Sequence, residues 1–295
     1  MGRCEVCFRH CEIKEGGIGF CGARTCRDGV VVAQNYGHVS AIALDPIEKK
    51  PLSRFCPGSR ILSVGSYGCN LRCPFCQNSD ISWSELSLSY SQMNEEELEV
   101  HGIECFTPEQ IANIAERYVP DGNIGVAFTY NEPMIGYEFV RDTAKLIKER
   151  GMKNVLVSNG TAELSVLEEI LQYIDAMNID LKGFTDSYYR DLLGGDRRMV
   201  MNFIERAVKD AHVELTTLII PGENDSEEEM RELSKWVSSL TDGKGNVIGK
   251  NIPLHISRFF PRFHMTDRAA TDVSKVYRLA DVARENLEFV YTGNC

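Results

Sequence analysis

The sequence predicts an α/β fold, a partial (β/α)6 TIM-like barrel with a small Cys-rich element at its N-terminus. Three observations predict it. From Arg60 onward, strand-like and amphipathic helix-like stretches alternate six times. Before that point, five of the eleven cysteines crowd the first 26 residues, in a stretch with many glycines and little apolar periodicity. Three more cysteines directly follow the first predicted strand. The expected division is a metal-stapled N-terminal element over residues 1–58 and a barrel over residues 59–295. A piece as small as the first usually needs a staple such as a metal.

The units follow in order. "RILSVGSYG" reads as the first strand. "TPEQIANIAERYV" opens with a Thr cap and continues as an amphipathic helix. "NIGVAFTYNEP" is a strand ended by proline, and "MIGYEFVRDTAKLIKERG" a helix closed by glycine. "KNVLVSNG" and "AELSVLEEILQYI" form the third pair, "AMNIDLKGF" and "MVMNFIERAVKDA" the fourth. "HVELTTLIIPG" precedes "SEEEMRELSKWVSSL", a helix with a Ser cap and early acids that suit its dipole. "IPLHISRFFP" and "DVSKVYRLADVARE" complete six units. Six are too few for an eight-fold barrel but suit an open one, with chemistry at the C-terminal strand ends. Residues 77–106 form a long link, and "NEEELE" within it reads as a solvated acidic face. "TDGKGNVIGKN" reads as a glycine-rich surface turn.

Composition excludes several classes. Hydrophobic residues at 43% and charged residues at 25% describe an ordinary globular protein. No run of eighteen apolar residues exists to span a membrane, and "MGRCEVCFRHCEIKEGG" lacks the apolar core of a signal peptide. The expected compartment is the cytoplasm, where clustered cysteines usually bind metal. A net charge of −11 argues against broad binding to nucleic acid or anionic lipid.

"GCNLRCPFCQN" holds the sharpest signal. Cys69, Cys73 and Cys76 are three thiols on a tight loop at a strand end. Three thiolates can hold three irons of a cubane cluster and leave the fourth iron free for a small molecule. The competing readings are a zinc site completed by a remote residue, and a buried apolar cluster.

CxxxCxxC with an aromatic residue, Phe75, before the last cysteine resembles the signature of the radical S-adenosylmethionine superfamily. "DPIEKKPL", "PGS", "TYNEP", "SNG", "IDLKGF" and "PLHISRF" extend the resemblance over essentially the whole chain. They point to homologues of the pyruvate formate-lyase activating enzyme, including the radical component of the AmmeMemoRadiSam system. The resemblance implies a [4Fe-4S] cluster on the three cysteines, with S-adenosylmethionine chelating the unique iron. Reductive cleavage of that cofactor then yields a 5′-deoxyadenosyl radical that abstracts hydrogen from a substrate. It also implies an electron donor of flavodoxin or ferredoxin type. The substrate stays open: a glycine of a partner enzyme, or another protein, peptide or small molecule that is methylated, cross-linked or rearranged. A non-catalytic iron–sulfur or zinc binding protein is the alternative from another class.

The same resemblance assigns the remaining cofactor site. Thr129, Asn131 and Glu132 of "TYNEP" match by position the stretch that contacts the methionyl ammonium, where a plain strand-ending turn is the competing reading. In "NIDLK", period two puts Asn178, Asp180 and Lys182 on one face and Ile179 and Leu181 on the other. Buried Asp and Lys must pair or meet a polar ligand. The resemblance gives Asp180 the ribose hydroxyls and Lys182 the methionyl carboxylate; an ion pair lining the barrel is the alternative. Ser158 and Asn159 end the third strand near the same ligand. His255 points inward on the last strand as a ribose or substrate contact or a core histidine. Arg258 at that strand's end meets a carboxylate or forms a surface salt bridge.

Cys4, Cys7, Cys11 and Cys21 read C-x2-C-x3-C-x9-C. Four thiolates suffice for a closed tetrahedral zinc site, and the same set can hold an auxiliary iron–sulfur cluster. "GIGFCG" matches a dinucleotide glycine pattern but lies between cysteines rather than between strand and helix, so no such site is expected.

Overall fold

The computed structural model describes all 295 residues. The N-terminal stretch folds into two small antiparallel pairs: β1 (Gly2–Arg3) with β2 (Glu12–Ile13), and β3 (Arg24–Arg27) with β4 (Val30–Ala33). Next come β5 (His38–Val39), β6 (Ala41–Pro46) and β7 (Arg60–Gly65). The long link holds three short helices, α1 (Ser79–Ser82), α2 (Glu85–Ser89) and α3 (Glu95–Val100). It ends in β8 (Glu104–Cys105), which pairs antiparallel with β5. The acidic "NEEELE" run is thus the start of α3, where Asn94 and Glu97 form a reciprocal capping box.

The units then alternate as expected: α4 (Pro108–Arg117), β9 (Asn123–Phe128), α5 (Tyr137–Glu149), β10 (Lys153–Ser158), α6 (Leu164–Leu171) and β11 (Ala176–Asp180). They continue as α7 (Arg197–Ala207), β12 (His212–Ile219), α8 (Glu227–Ser238), β13 (Leu254–Arg258), α9 (Val273–Arg284) and β14 (Val290–Gly293). Local chemistry sets the helix starts. Thr107 and Gln110 cap α4 reciprocally with Pro108 at its first position, and the Ser226 hydroxyl accepts from the Glu229 amide at α8.

One eight-stranded sheet organises the molecule, in the order β6-β7-β9-β10-β11-β12-β13-β14. The strands from β7 to β14 pair parallel, and β6 joins the edge antiparallel to β7. Two of these strands, β6 and β14, were not expected. β6 lies in the stretch that lacks a clear apolar period, and β14 has only four residues.

Alternation along the strands divides inside from outside. Leu62, Val126, Leu156, Met177, Ile179, Leu215 and Ile256 belong to the large core between sheet and helices. On the inner side, Ile61, Ala127, Val155 and Ala176 form a separate small cluster with Ile47 and Leu52. The chain after β6 therefore enters the barrel and floors it with Leu52. Two lumen side chains hold it there. The Asn178 amide donates to the Pro51 carbonyl at 2.9 Å, and Glu214 accepts from the Ser53 and Arg54 amides at 2.9 and 2.7 Å.

Candidate active site

Above that floor lies a cavity of about 700 Å³ at the C-terminal strand ends. The loop after β7 supplies one wall with Cys69, Cys73, Phe75 and Cys76. The loop is heavily pinned. The Cys69 amide donates to the Cys21 carbonyl at 3.1 Å, and Arg72 donates to the carbonyls of Cys69 and Leu71, both at 2.9 Å. The Trp83 indole donates to the Cys73 carbonyl at 3.2 Å. Gly68 is required: its φ is +91°, and a Cβ there would stand 2.6 Å from the Cys21 carbonyl oxygen.

The three thiols are free and largely buried. Burial raises all of them, Cys73 to about 11. Unliganded, they are thiols; a metal must displace the protons. Their surroundings suit a thiolate-bound cluster. The Leu71 amide points at Cys69 Sγ at 3.4 Å and the Asn159 amide at 3.7 Å, the N–H···S contacts that stabilise sulfur-borne charge.

The strand ends supply the remaining walls. Thr129, Asn131 and Glu132 come from the end of β9, Ser158 and Asn159 from β10, Asp180 and Lys182 from β11, and His255 from β13. Sequence reasoning missed the constraint on Tyr130. It has φ +75°, rare for a side chain of this size, and its hydroxyl donates to Asp45 at 2.8 Å beneath the Lys50 ammonium. Lys50, Tyr130 and Ser63 together hold the Asp45 carboxyl well below its ordinary range despite burial. Asn131 clamps the two strand ends together: its amide donates to the carbonyls of Tyr67 and Gly68, and its oxygen accepts from the Ser66 amide.

Glu132 is fully enclosed. Burial raises its carboxyl to about 7, against hydrogen bonds from the Asn159 amide at 2.7 Å, Ser158 at 2.8 Å and the Met134 amide at 3.0 Å. Its side chain thereby ties β9 to β10. Lys182 and Asp180 pair at 2.7 Å. Burial opposes the ammonium, but the Asp180 carboxylate and the neighbouring Cys73 hold its pKa well above the ordinary value.

His255 lines the cavity, is stacked on Tyr291, and shares Glu214 with His212. Glu214 is fully buried and was not singled out from sequence. Its signal is the same period two, since His212, Glu214 and Thr216 alternate with Val213 and Leu215. Burial alone would raise its carboxyl. Hydrogen bonds from His212, His255 and the Ser53 and Arg54 amides outweigh that and hold it at about 2. Arg258 lies apart from the cavity; its guanidinium donates to the Thr271 carbonyl at 2.7 Å and packs over Phe260.

Cys4, Cys7, Cys11 and Cys21 line a second, much smaller cavity behind the Cys69 loop, with Arg9, Arg24, Ile13 and Ile135. Burial raises the thiols of Cys4, Cys7 and Cys21, the last to about 12.

Comparison with known proteins places this geometry. Residues 63–234 match the Radical SAM superfamily. An uncharacterized protein of Methanocaldococcus jannaschii, MJ0808, is 37% identical over 295 residues, 99% of this chain and 81% of that one. The pyruvate formate-lyase-activating enzyme of Clostridium pasteurianum is 27% identical over 240 residues, 79% of this chain and 93% of the enzyme. Among solved structures, SuiB of Streptococcus suis bound to S-adenosylmethionine superposes with a TM-score of 0.56 at 14% identity. That match covers 78% of this chain and 48% of SuiB. It shows a shared fold. The chain belongs to the radical SAM superfamily, whose members use a [4Fe-4S] cluster and S-adenosylmethionine.

Proposed function

We propose that this radical SAM enzyme holds its catalytic [4Fe-4S] cluster on Cys69, Cys73 and Cys76 and binds S-adenosylmethionine across the adjoining strand ends. One observation carries the reading: three free thiols and the polar ends of β9, β10, β11 and β13 line one cavity. Bound there, cluster and cofactor supply a one-electron cleavage of the sulfonium to a 5′-deoxyadenosyl radical that abstracts hydrogen from substrate.

The chain's own residues bind and position. Thr129, Asn131 and Glu132 face the methionyl ammonium with main-chain and side-chain acceptors. Lys182 meets the methionyl carboxylate and leaves part of its present pairing with Asp180, which is then free to accept from the ribose hydroxyls. Ser158, Asn159 and His255 complete the polar wall, and Phe75 lines the cavity beside the three cysteines. Arg258 has no part in this pocket. The floor at Leu52 and the outer helices keep water from below. Cys4, Cys7, Cys11 and Cys21 bind zinc or an auxiliary cluster that staples the N-terminal stretch before β6 to the barrel, whose sheet already includes β6. A flavodoxin- or ferredoxin-type protein supplies the electron. Eleven free cysteines suit a reducing cytoplasm.

For the substrate, installation of a glycyl radical on a partner enzyme is supported by relatives named as activating enzymes. Modification of a smaller group is favoured by a different observation: Glu48, Lys49, Pro51 and Ser53, after one edge strand, and residues 291–294, from the other edge strand, all line the cavity. Anaerobic reconstitution followed by dithionite reduction is expected to yield 5′-deoxyadenosine from S-adenosylmethionine. Reconstituted protein that neither binds nor cleaves the cofactor overturns the proposal. Adding candidate partners separates the substrate readings, by a glycyl EPR signal in one case and by product mass in the other.

A further inference from the structure

Three buried side chains close a ring beside the Cys69 sulfur. Asn70 comes from the loop after β7, and Asn159 and Thr161 from the loop after β10; they are 1%, 6% and 1% exposed. The Asn159 amide nitrogen donates to Asn70 Oδ1 at 2.9 Å, the Asn70 amide nitrogen donates to Thr161 Oγ1 at 2.8 Å, and the Thr161 hydroxyl donates to Asn159 Oδ1 at 2.5 Å. The direction of the ring is fixed from outside it. The Thr161 backbone N–H, which can only donate, meets Asn159 Oδ1 at 3.0 Å. The other end of that amide is therefore the nitrogen, which carries two hydrogens. One goes to Asn70. The second points at Cys69 Sγ, at 3.7 Å.

We propose that Asn159 is a positioning residue acting through Cys69: its side-chain N–H on Cys69 Sγ sets the reduction potential of the cluster that Cys69 binds, and Asn70 and Thr161 lock the amide in that orientation. This rests on the cluster-binding role proposed above for Cys69, and it assigns the Asn159 side chain to the cysteine rather than to the cofactor. A cluster gains one negative charge on reduction, and its ligand sulfurs carry part of that charge. A donor aimed at such a sulfur binds the reduced state more tightly than the oxidised one and raises the potential. Burial strengthens the contact, since water does not screen it. Turning the amide over would set oxygen against oxygen at Asn70 and N–H against N–H at Thr161, both buried and both costly. Both hydrogens and the oxygen of Asn159 thus have partners within the protein, and the side chain keeps its pose without a cofactor.

Neighbouring segments brace the ring. Just beyond Thr161, Ala162 pairs with Cys7, and the Glu163 amide donates to the Val6 carbonyl at 2.9 Å. Arg9 Nε holds the Asn70 carbonyl at 2.7 Å, and Glu132 accepts from the Asn159 backbone N–H at 2.7 Å. The N-terminal thiol segment, the Cys69 loop and the loop after β10 therefore meet at this ring, and a shift of any one disturbs the contact on Cys69 Sγ. The Leu71 amide supplies a second N–H to the same sulfur at 3.4 Å, from the backbone. Asn159 supplies the one that a substitution can remove.

The test is a potentiometric EPR titration of the anaerobically reconstituted full chain. It follows the signal that changes when S-adenosylmethionine is added, which marks the cluster at the open site. N159A keeps the main-chain bond to Glu132 and loses the N–H to sulfur. T161V touches no cluster ligand and loses the hydroxyl that holds the amide, whereas T161S keeps a hydroxyl there. The midpoint potential should become more negative in N159A, move the same way by less in T161V, and stay at the wild-type value in T161S, with iron per chain unchanged in all three. Unchanged midpoints in N159A and T161V overturn the proposal. Accompanied by a raised Kd for S-adenosylmethionine, they make Asn159 a cofactor contact; accompanied only by a lowered melting temperature, they make it packing. Where N159A loads no iron, T161V against T161S decides, and equal midpoints overturn the proposal. Wild type with no signal sensitive to S-adenosylmethionine looks different: it sinks the reading of the Cys69 site itself, and this inference with it.

Discussion

The two cysteine sets lie back to back and differ in what stands in front of them. Both are largely buried, burial raises the thiols of Cys4, Cys7 and Cys21 as it raises those of Cys69, Cys73 and Cys76, and one hydrogen bond from Cys69 to Cys21 joins the sets. The four-thiol set faces two arginines and apolar side chains in a cavity too small for a substrate. The three-thiol set faces a cavity of about 700 Å³ edged with polar strand ends. Ligand number and surroundings agree in each case: four thiols with nothing beyond them, three thiols with room for a cofactor. What separates the Cys69 loop from the N-terminal set is the space beside it.

The largest expected effect separates the two sets directly. Cys73→Ala should reduce 5′-deoxyadenosine formation to background. Cys21→Ala should leave measurable formation and act mainly by lowering the melting temperature. Equal loss in both, followed by chromatography of the dithionite-driven reaction, would erase the functional distinction.

The polar rim comes next. Lys182→Ala removes a charge-assisted partner of about 1.5–3 kcal/mol, so the Kd for S-adenosylmethionine should rise roughly 10- to 100-fold. Anaerobic calorimetry on reconstituted protein reads this. An unchanged Kd would return the Asp180–Lys182 pair to a purely structural role.

Glu214 tests the lumen floor. Its carboxyl is held at about 2 in the folded protein, against an ordinary value of 4.5. A depressed carboxyl contributes stability that is present above pH 4.5 and lost as pH falls toward 2. A shift of that size corresponds to about 3 kcal/mol. Glu214→Gln should therefore be less stable than wild type in urea at pH 7, with the gap closing between pH 4.5 and 2. A gap that stays constant with pH would show that the carboxylate's charge is not what holds residues 53 and 54.

The smallest effect belongs to Tyr130→Phe. It removes the hydroxyl that donates to Asp45 and should cost about 1–2 kcal/mol, read by urea unfolding. A neutral result would mean that the Lys50 ammonium over the ring suffices to hold the left-handed backbone.

Much of this was legible in the linear chain. Period two in "NIDLK" put Asp180 and Lys182 inside, and they line the cavity. The same rule in "PLHISRF" placed His255 inside and, applied to "HVELTTL", would have found Glu214. Arg258 shows the limit of reading a strand end. Position alone suggested a ligand, but the side chain turned to the Thr271 carbonyl. Tyr130 shows another. Nothing in "TYNEP" announces a left-handed tyrosine, because its contacts with Asp45 and Lys50 come from 85 and 80 residues away in the chain.

Properties carried by neighbours in sequence are present before folding: thiol number and spacing, the alternation that assigns strand faces, the Thr107 and Ser226 caps and the six-fold strand–helix order. They depend on dihedral periods and on side chains within a few residues. Long-range packing settled the rest. It brought "DPIEKKPL" into the lumen as a floor, added β6 and β14 to the sheet edges, closed Glu132 and Glu214 inside hydrogen-bond networks, and set Cys21 against Cys69. These arrangements depend on which distant surfaces exclude water together, and no local period in the chain encodes that choice.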